Sequence, residues 1–391
     1  MTRNRWASRR VEAMPVNMFE TMERAKKEAQ RRGNEVIDLS IGSSDLIPPL
    51  GALEALRVAT TDPSANGYCL HAGTSELREA ASAWYAGRYG FQVDPEYNVL
   101  TLIGSQEGLA NLLLATTDPG DTILLPDPGY PSYFGAAAVA GLRVSLLPLE
   151  AHNGFLPDLS AIPSDIAIRS RAMVLNYPNN PTAAVAEEGF LREAIAFCCD
   201  NEILLIHDFP YIDMVYGDYE APSILALPGG LEVGVELFSC SKSFHMGGFR
   251  IGWAIGNVDV ISALARVKGS IDFNQYLGIQ RAAVVALKQP RKKLRHDASI
   301  FQDRRDALVT HLNHLGWDLP LPRATMYVWS RIPDGYDDSF SFTVQLAEET
   351  GVCLAPGRGF GEQGEGFVRF ALVREPKTLI RAVEKIKTFT A

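Results

Sequence analysis

The stretch Ser239-Cys240-Ser241-Lys242 places a lysine directly after the apolar run Leu237-Phe238, and Gly247-Gly248-Phe249-Arg250-Ile251-Gly252 follows it. A lysine at the end of a buried strand is costly to keep charged, so its amine becomes nucleophilic and can form an imine with an aldehyde cofactor. The serine hydroxyls and the arginine are suitable ligands for a phosphate. A surface lysine and arginine in a glycine-rich loop is the alternative interpretation.

A second candidate is the small-residue turn Gly104-Ser105-Gln106-Glu107-Gly108, between an apolar run and the helical stretch 109–115. A turn between a strand and a helix N-terminus exposes backbone N–H groups and the positive end of the helix dipole to an anion. A phosphate would fit there. The motif is weak by itself, and an ordinary helix cap is the alternative.

Two polar turns follow other apolar runs: Asn176-Tyr177-Pro178-Asn179-Asn180-Pro181-Thr182 and His207-Asp208-Phe209-Pro210-Tyr211. A double Asn-Pro turn fixes a rigid loop that can point an amide at a ligand, although a plain turn is equally compatible. A carboxylate such as Asp208 at the end of a central strand is costly unless it faces a cation, for which a protonated pyridine nitrogen would serve. A helix N-cap is the alternative for Asp208, and we expect His207 to be a packed strand residue.

The elements that must position these residues follow from the alternation of helical stretches with short apolar runs between about residues 75 and 256. The runs are 99–103, 122–126, 144–148, 172–176, 203–207, 237–241 and 251–255. Near-continuous apolar runs separated by helices are typical of strands buried on both faces, so the sequence predicts an α/β fold with a mostly parallel or mixed sheet.

The remaining chain predicts a smaller α+β unit. A charged amphipathic helix over 17–32 is stopped by Gly33, and a short strand over 36–41 follows. A helix-rich stretch over 258–315 precedes strands at 326–332, 352–355 and 367–373 and a final helix at 376–389. We expect a large domain at 45–285 and a small domain formed by 1–44 and 286–391.

Composition excludes several classes of protein. The net charge of -9 argues against a nucleic-acid partner, and the basic run Arg291-Lys292-Lys293-Leu294-Arg295 suits an exposed helical turn. The five cysteines form neither an evenly spaced framework nor a C-x-x-C pair, so neither disulfides nor a metal site is predicted. No run of 18 apolar residues or signal-like segment is present, and we expect a cytoplasmic protein with no membrane partner.

Taken together and in this order, the four motifs resemble the class I/II aminotransferases of pyridoxal-5'-phosphate (PLP) fold-type I, along nearly the whole chain. The resemblance implies an aspartate aminotransferase-like fold with a seven-stranded large domain and a small domain built from both chain ends. It also implies PLP as cofactor, an amino acid and a 2-oxo acid as substrates, and a homodimer with active sites at the subunit interface.

Carried over to this chain, the resemblance makes Lys242 the Schiff-base lysine and proton shuttle, and Asp208 the holder of the pyridinium proton. Asn180 and Tyr211 would hydrogen-bond the phenolic oxygen of the cofactor, and Tyr130 in Pro128-Gly129-Tyr130-Pro131 would stack on its ring. The implied phosphate ligands are Ser105, Gln106, Ser239, Ser241 and Arg250. Tyr68 matches the tyrosine that the neighbouring subunit contributes.

The substrate carboxylate would be held by Arg369, assisted by the Asn180 amide and the Gly42 backbone N–H, because an arginine fork matches a carboxylate bidentately. Without the family, Arg369 would be interpreted as a strand-edge surface residue. The sequence departs from the family pattern at Ala183, where glycine is usual, and at Ser43-Ser44, where an acidic residue and proline are usual. The second departure affects the loop over the substrate and therefore bears on specificity.

The stretches 36–42, 104–108 and 324–329 look most like the LL-diaminopimelate, aspartate and alanine aminotransferase branch. We therefore expect a small or dicarboxylic amino acid, paired with 2-oxoglutarate or pyruvate. A β-lyase that uses the same lysine is the alternative, and a non-catalytic cofactor-binding homologue is a weaker one.

Overall fold

The computed structural model describes residues 5–14, 18–70 and 72–390. Its strands are β1 (Ile37–Asp38), β2 (Val99–Leu102), β3 (Thr122–Asp127), β4 (Arg143–Pro148), β5 (Ser170–Leu175), β6 (Leu204–Asp208), β7 (Gly234–Ser239), β8 (Gly252–Gly256), β9 (Tyr327–Arg331), β10 (Val352–Cys353), β11 (Ala355–Pro356) and β12 (Phe367–Ala371). Its α-helices are α1 (Arg9–Glu12), α2 (Met18–Arg31), α3 (Leu50–Ala59), α4 (Ser75–Tyr89), α5 (Ser105–Thr116), α6 (Pro131–Ala140), α7 (Ser164–Arg169), α8 (Glu188–Asp200), α9 (Gly230–Val233), α10 (Cys240–Ser243), α11 (Val258–Ile271), α12 (Leu277–Leu287), α13 (Arg291–His314), α14 (Ser339–Thr350) and α15 (Pro376–Thr390).

The seven predicted apolar runs form one sheet, with the strand order β2-β8-β7-β6-β5-β3-β4. Only β8 runs against its neighbours, pairing antiparallel with β2 and with β7, while the other pairs in this sheet are parallel. The prediction of a mostly parallel sheet is therefore confirmed.

Both faces of this sheet are covered except at the edge strand β4, which is largely exposed, because successive residues of the other strands are buried and point to opposite sides. In β6, Leu205 packs in a cluster that includes Leu191 of α8, on one face. Its neighbour Ile206 packs with Leu109 of α5 and Leu264 of α11, on the other. The near-continuous apolar runs in the sequence follow from this double burial.

A second apolar core joins residues from both ends of the chain, among them Leu39, Phe301, Phe370 and Ile386. It packs against the antiparallel sheet β11-β12-β9, next to the parallel pair β1-β10. None of the helices in the described ranges combines the length and the apolar character that crossing a bilayer requires.

Several predicted boundaries were wrong. The strand expected at 352–355 is two short strands, because the chain pairs with β1 at Val352 and then changes partner to β12 at Ala355. The strand expected at 36–41 is only Ile37–Asp38, since the chain beyond it turns towards the site described below. The first residue of the helix expected at 17–32 lies outside the described residues.

Candidate active site

A cavity of about 180 Å³ lies at one edge of the large sheet. Strand β2 runs in the same direction as β7, because both are antiparallel to β8. The carboxyl ends of β2, β5, β6 and β7 therefore meet at this edge, which is where open α/β sheets bind ligands. The four sequence motifs follow these four strands, so the topology brings them together. The predicted residues that line the cavity are Gly42, Ser105, Gln106, Tyr130, Asn180, Asp208, Tyr211, Ser239, Ser241, Lys242, Arg250 and Arg369.

Tyr68 is the one predicted site residue that does not line this cavity. Its side chain is 85% exposed and contacts the edge of Phe273, with ring centroids 5.8 Å apart. Its expected place at the site of a neighbouring subunit stays a prediction.

Lys242 lies in α10, the single helical turn that follows β7. Its Nζ donates a hydrogen bond to the carbonyl of Gly42 at 2.5 Å and lies 5.6 Å from the centroid of the Tyr211 ring. The amine is thus directed into the cavity and away from the surface, contrary to the alternative of a surface lysine.

Asp208 ends β6, and its carboxylate is buried. Its Oδ2 accepts a hydrogen bond from the Tyr133 hydroxyl at 2.7 Å, whereas its Oδ1 has no partner among the described residues. Burial raises the pKa of Asp208 to about 6, despite the hydrogen bond from Tyr133 that opposes this rise. No helix begins at Asp208, so the N-cap alternative is wrong. An orphaned buried carboxylate oxygen is a place for a cationic or donating ligand group.

His207 is a packed strand residue, as expected. Its two ring nitrogens lie 3.0 Å from Glu236 Oε1 and 3.0 Å from the Tyr177 carbonyl, and its ring stacks on Phe209.

A ring of donors lies beside the N-terminus of α5. Gly104 is the N-cap of this helix and makes no side-chain hydrogen bond, which leaves the first backbone N–H groups of the helix open. The predicted turn 104–108 is itself the first turn of the helix. A Cβ on Gly104 would lie 2.7 Å from Arg250 Nη2, so glycine allows the arginine to approach the helix end. Ser239 and Ser241 lie next to each other, with their hydroxyl oxygens 2.9 Å apart. Donors of this kind suit a phosphate.

Arg369 lies on β12, the central strand of its sheet, and is only 2% exposed, so it is not a strand-edge surface residue. Its Nη1 donates to Asn180 Oδ1 and its Nη2 donates to the Ser40 carbonyl, both at 2.7 Å. Its guanidinium also stacks on Tyr327, 4.2 Å from the ring centroid. No carboxylate in the described part of the chain forms an ion pair with it. A buried cation without a counter-charge is costly, and an anionic ligand in the cavity would offset that cost.

The Asn180 turn is rigid. The backbone N–H of Asn180 donates to Asn176 Oδ1 at 2.8 Å, and Asn179 Oδ1 accepts from both the backbone and the hydroxyl of Thr182. Ala183, where the family usually has glycine, adopts φ +60, a left-handed conformation that costs a residue with a Cβ about 1 kcal/mol.

Sequence reasoning missed two tyrosines of the cavity. Tyr133 lies one helical turn after Tyr130, and this spacing could have placed it on the same face of α6. Tyr327 lies at the start of β9, where none of the four chemical motifs marks it as a site residue. Its hydroxyl is 2.9 Å from the hydroxyl of Tyr211. It also touches Gly42, at which a Cβ would lie 1.9 Å from the Tyr327 hydroxyl oxygen.

Residues 34–386 match the model of the family described as "Aminotransferase class I and II". The chain belongs to this family. The aminotransferase is 42% identical over 380 residues to the LL-diaminopimelate aminotransferase of Moorella thermoacetica, with 97% of each chain covered. It is 39% identical over 380 residues to the glutamate-pyruvate aminotransferase AlaC of Escherichia coli, covering 97% of this chain and 92% of that one.

Solved structures agree with this membership. A probable N-succinyldiaminopimelate aminotransferase from Thermus thermophilus is 50% identical, with a TM-score of 0.91 over 95% of this chain and 99% of that one. A Thermus thermophilus aspartate aminotransferase single mutant is 29% identical, with a TM-score of 0.92 over 98% and 99%. The aminotransferase therefore has the aspartate aminotransferase-like fold of PLP fold-type I and is an enzyme that transfers amino groups.

Proposed function

We propose that the aminotransferase holds PLP on Lys242 and moves an amino group between an amino acid and a 2-oxo acid by a ping-pong mechanism. The observation that carries this proposal is the meeting of three groups in one cavity: the amine of Lys242, the orphaned carboxylate oxygen of Asp208 and the uncompensated guanidinium of Arg369. An aldehyde, a protonated ring nitrogen and a substrate carboxylate would satisfy them in turn.

The residues present fit PLP. Ser105, Ser239, Ser241 and Arg250 supply hydroxyl and guanidinium donors for its phosphate, and the open N-terminus of α5 supplies backbone N–H groups. Gln106 lines the same part of the cavity. Asp208 offers the free Oδ1 for the ring nitrogen, and the Tyr130 ring also lines the cavity.

When bound, PLP supplies the electron sink that stabilises the electron pair left on the substrate Cα after deprotonation. Asp208 keeps a proton at the ring nitrogen, which that sink requires. Tyr211 and the Asn180 amide hold the phenolic oxygen. Lys242 is the one amine among the described residues of the cavity, so it would take the Cα proton.

Arg369 orients the reaction by binding the substrate carboxylate bidentately, with Asn180 and the backbone N–H of Gly42 assisting. Fixing the carboxylate on one side leaves Cα–H facing the amine. Since Arg369 is held by Asn180 and Ser40 and stacked on Tyr327, it is preorganised and does not have to move.

The proposed substrates are an LL-diaminopimelate, aspartate or alanine type amino acid and an oxo acid such as 2-oxoglutarate or pyruvate. The names of the relatives, which include LL-diaminopimelate and glutamate-pyruvate aminotransferases, support this range of substrates.

We also propose a homodimer in which Tyr68 reaches the neighbouring site, and a division into a large domain at 45–285 and a small one formed by 1–44 and 286–391. The exposure of Tyr68 supports the first point, and the apolar core that joins Leu39, Phe370 and Ile386 from both chain ends supports the second.

An absorbance titration of the purified, PLP-loaded protein tests the proposal. LL-diaminopimelate, aspartate, alanine and glutamate are added singly, followed by 2-oxoglutarate or pyruvate. Bleaching of the long-wavelength band by one donor and its recovery with one oxo acid would identify both half-reactions. Accumulation of pyruvate and ammonia without recovery would instead favour the β-lyase alternative.

A further inference from the structure

The segment 40–46 runs along the cavity, which it lines with Ile41 and Gly42. Three of its residues, Ser40, Gly42 and Ser44, form hydrogen bonds with other parts of the chain. The carbonyls of the first two accept hydrogen bonds from the arginine and the lysine of the site. The hydroxyl oxygen of the third lies 2.8 Å from Nδ1 of His245. Neither residue of this last pair has a role in the function proposed above.

His245 lies three residues after Lys242 and is 8% exposed. Its φ of +57 falls in the left-handed region, which is strained for a residue with a side chain. Its ring stacks on Phe301, with the centroids 6.3 Å apart. A strained conformation at a buried residue persists only where the surrounding contacts outweigh its cost, and such residues concentrate at functional sites.

The charged groups around the ring are Asp297, whose Oδ2 lies 3.6 Å from Nε2, and Lys293, which pairs with Asp297; Asp45 lies further off. Burial lowers the pKa of His245 more than the charge of Asp297 raises it. The ring is therefore neutral near pH 7, and a proton on Nε2 facing Asp297 leaves Nδ1 free to accept from the Ser44 hydroxyl.

Asp45, the residue after Ser44, is bound by a different part of the chain. Asp45 accepts two hydrogen bonds from Arg304, at 2.7 and 2.8 Å, and Arg304 also donates to the Leu372 carbonyl at 3.0 Å. This bidentate ion pair fixes the segment to the small-sheet side. The link to the Lys242 side consists of the bond from Lys242 to Gly42 and the bond between Ser44 and His245.

Lys242 would give up its bond to Gly42 when it holds the cofactor, because its nitrogen is then bonded to the cofactor's carbon and carries at most one proton. We propose that Ser44 and His245 are positioning residues, whose hydrogen bond keeps segment 40–46 in place over the cavity once Lys242 has left the Gly42 carbonyl. The backbone N–H of Gly42 then stays where the substrate carboxylate meets it. This inference rests on the proposed function, since it concerns binding of the amino acid.

The test compares four variants. Ser44→Ala removes the hydroxyl, and Ser44→Thr keeps it. His245→Asn shortens the side chain while placing in the left-handed region a residue that tolerates it. Ser43→Ala is the matched control, because Ser43 is exposed on the same segment and its side chain has no hydrogen bond in the part of the chain that the structure describes.

Three quantities are measured: hydrogen exchange of segment 40–46 before and after loading with PLP, the KM and kcat for the best donor, and the Tm. We expect faster exchange in Ser44→Ala and His245→Asn, with a larger increase after loading. We also expect the KM to rise about three- to tenfold, as the loss of one neutral hydrogen bond predicts, with a smaller change in kcat. Ser44→Thr should resemble the parent protein, Ser43→Ala should exchange like it, and Ser44→Ala, which removes no ring, should keep its Tm.

Unchanged exchange and KM in both Ser44→Ala and His245→Asn would overturn the inference. So would a fall in the Tm of Ser44→Ala that accounts for its higher KM, because the hydrogen bond would then be structural only. If the parent protein transaminates no donor, the proposed function fails, whereas the exchange measurements still decide whether this hydrogen bond holds the segment.

Discussion

The hydroxyl of Tyr327 lies 2.9 Å from the hydroxyl of Tyr211, and both side chains are buried in the cavity. Burial raises the pKa of Tyr211, and the neighbouring Tyr327 hydroxyl raises it further. Burial also acts to raise the pKa of Tyr327, but the positive charges of Lys242 and Arg369 and the hydrogen bond with Tyr211 together lower it by more. Tyr327 is therefore the better donor of the pair, and it leaves the proton of Tyr211 free to point at a ligand.

Replacing Tyr327 with Phe should remove the hydrogen bond that orients the Tyr211 hydroxyl towards the bound cofactor, while keeping the ring that stacks on Arg369. We expect the pKa of the pH-dependent absorbance change of the PLP-loaded enzyme to rise, and to rise less than in Tyr211→Phe. A spectrophotometric pH titration of the three proteins measures this order. A Tyr327→Phe spectrum that titrates like that of the parent would show that the pair does not act on the cofactor.

Replacing Lys242 with Ala should abolish turnover, since the described cavity residues include no other amine. Lys242→Arg is the matched variant, because it keeps the positive charge but cannot form the covalent link. Both should lose the long-wavelength absorbance of the loaded enzyme, and turnover by either would refute the assignment of Lys242.

Replacing Arg369 with Ala should raise the KM for amino acids by an amount equivalent to about 2 to 5 kcal/mol, the usual effect of losing a charge-assisted buried contact. Arg369→Lys keeps the charge but not the planar fork, so its KM should lie between the KM of the parent protein and that of Arg369→Ala. Steady-state kinetics with the best donor gives this series. A KM that is the same in all three would mean that the carboxylate binds elsewhere.

Asp208 should give the cofactor-free protein a distinct pH dependence. Its pKa is raised from 3.8 to about 6 by burial, so the native state binds the proton more tightly than the unfolded chain does. The contribution of Asp208 to the free energy of unfolding is therefore fully present below about pH 4 and is lost as the pH rises through about 6. The total loss is about 3 kcal/mol. In Asp208→Asn this loss should be absent.

Urea unfolding of the parent and of Asp208→Asn between about pH 4 and pH 7 measures the difference. Loading with PLP should reduce the loss, because a protonated ring nitrogen beside Oδ1 stabilises the charged carboxylate. A difference between the two proteins that does not change with pH would contradict the raised pKa.

The sequence by itself determined the large sheet and the identity of most site residues. Six of the seven strands, all except β4, are largely buried on both faces, and this leaves apolar runs that can be found without knowing their partners. The residues after four of these runs carry unusual chemistry for their position, such as a lysine and a carboxylate at strand ends. Their order along the chain then sufficed to identify the family.

Only the tertiary structure decided which side chains meet. Tyr133 and Asp208 are 75 residues apart, Tyr211 and Tyr327 are 116 apart, and Ser44 and His245 are 201 apart. No local periodicity encodes such pairs, because they depend on the strand order β2-β8-β7-β6-β5-β3-β4 and on how the chain ends pack over its edge. The split of the strand expected at 352–355 has the same cause, since the choice of a pairing partner is made by the neighbouring strands and not by the residues of the strand itself.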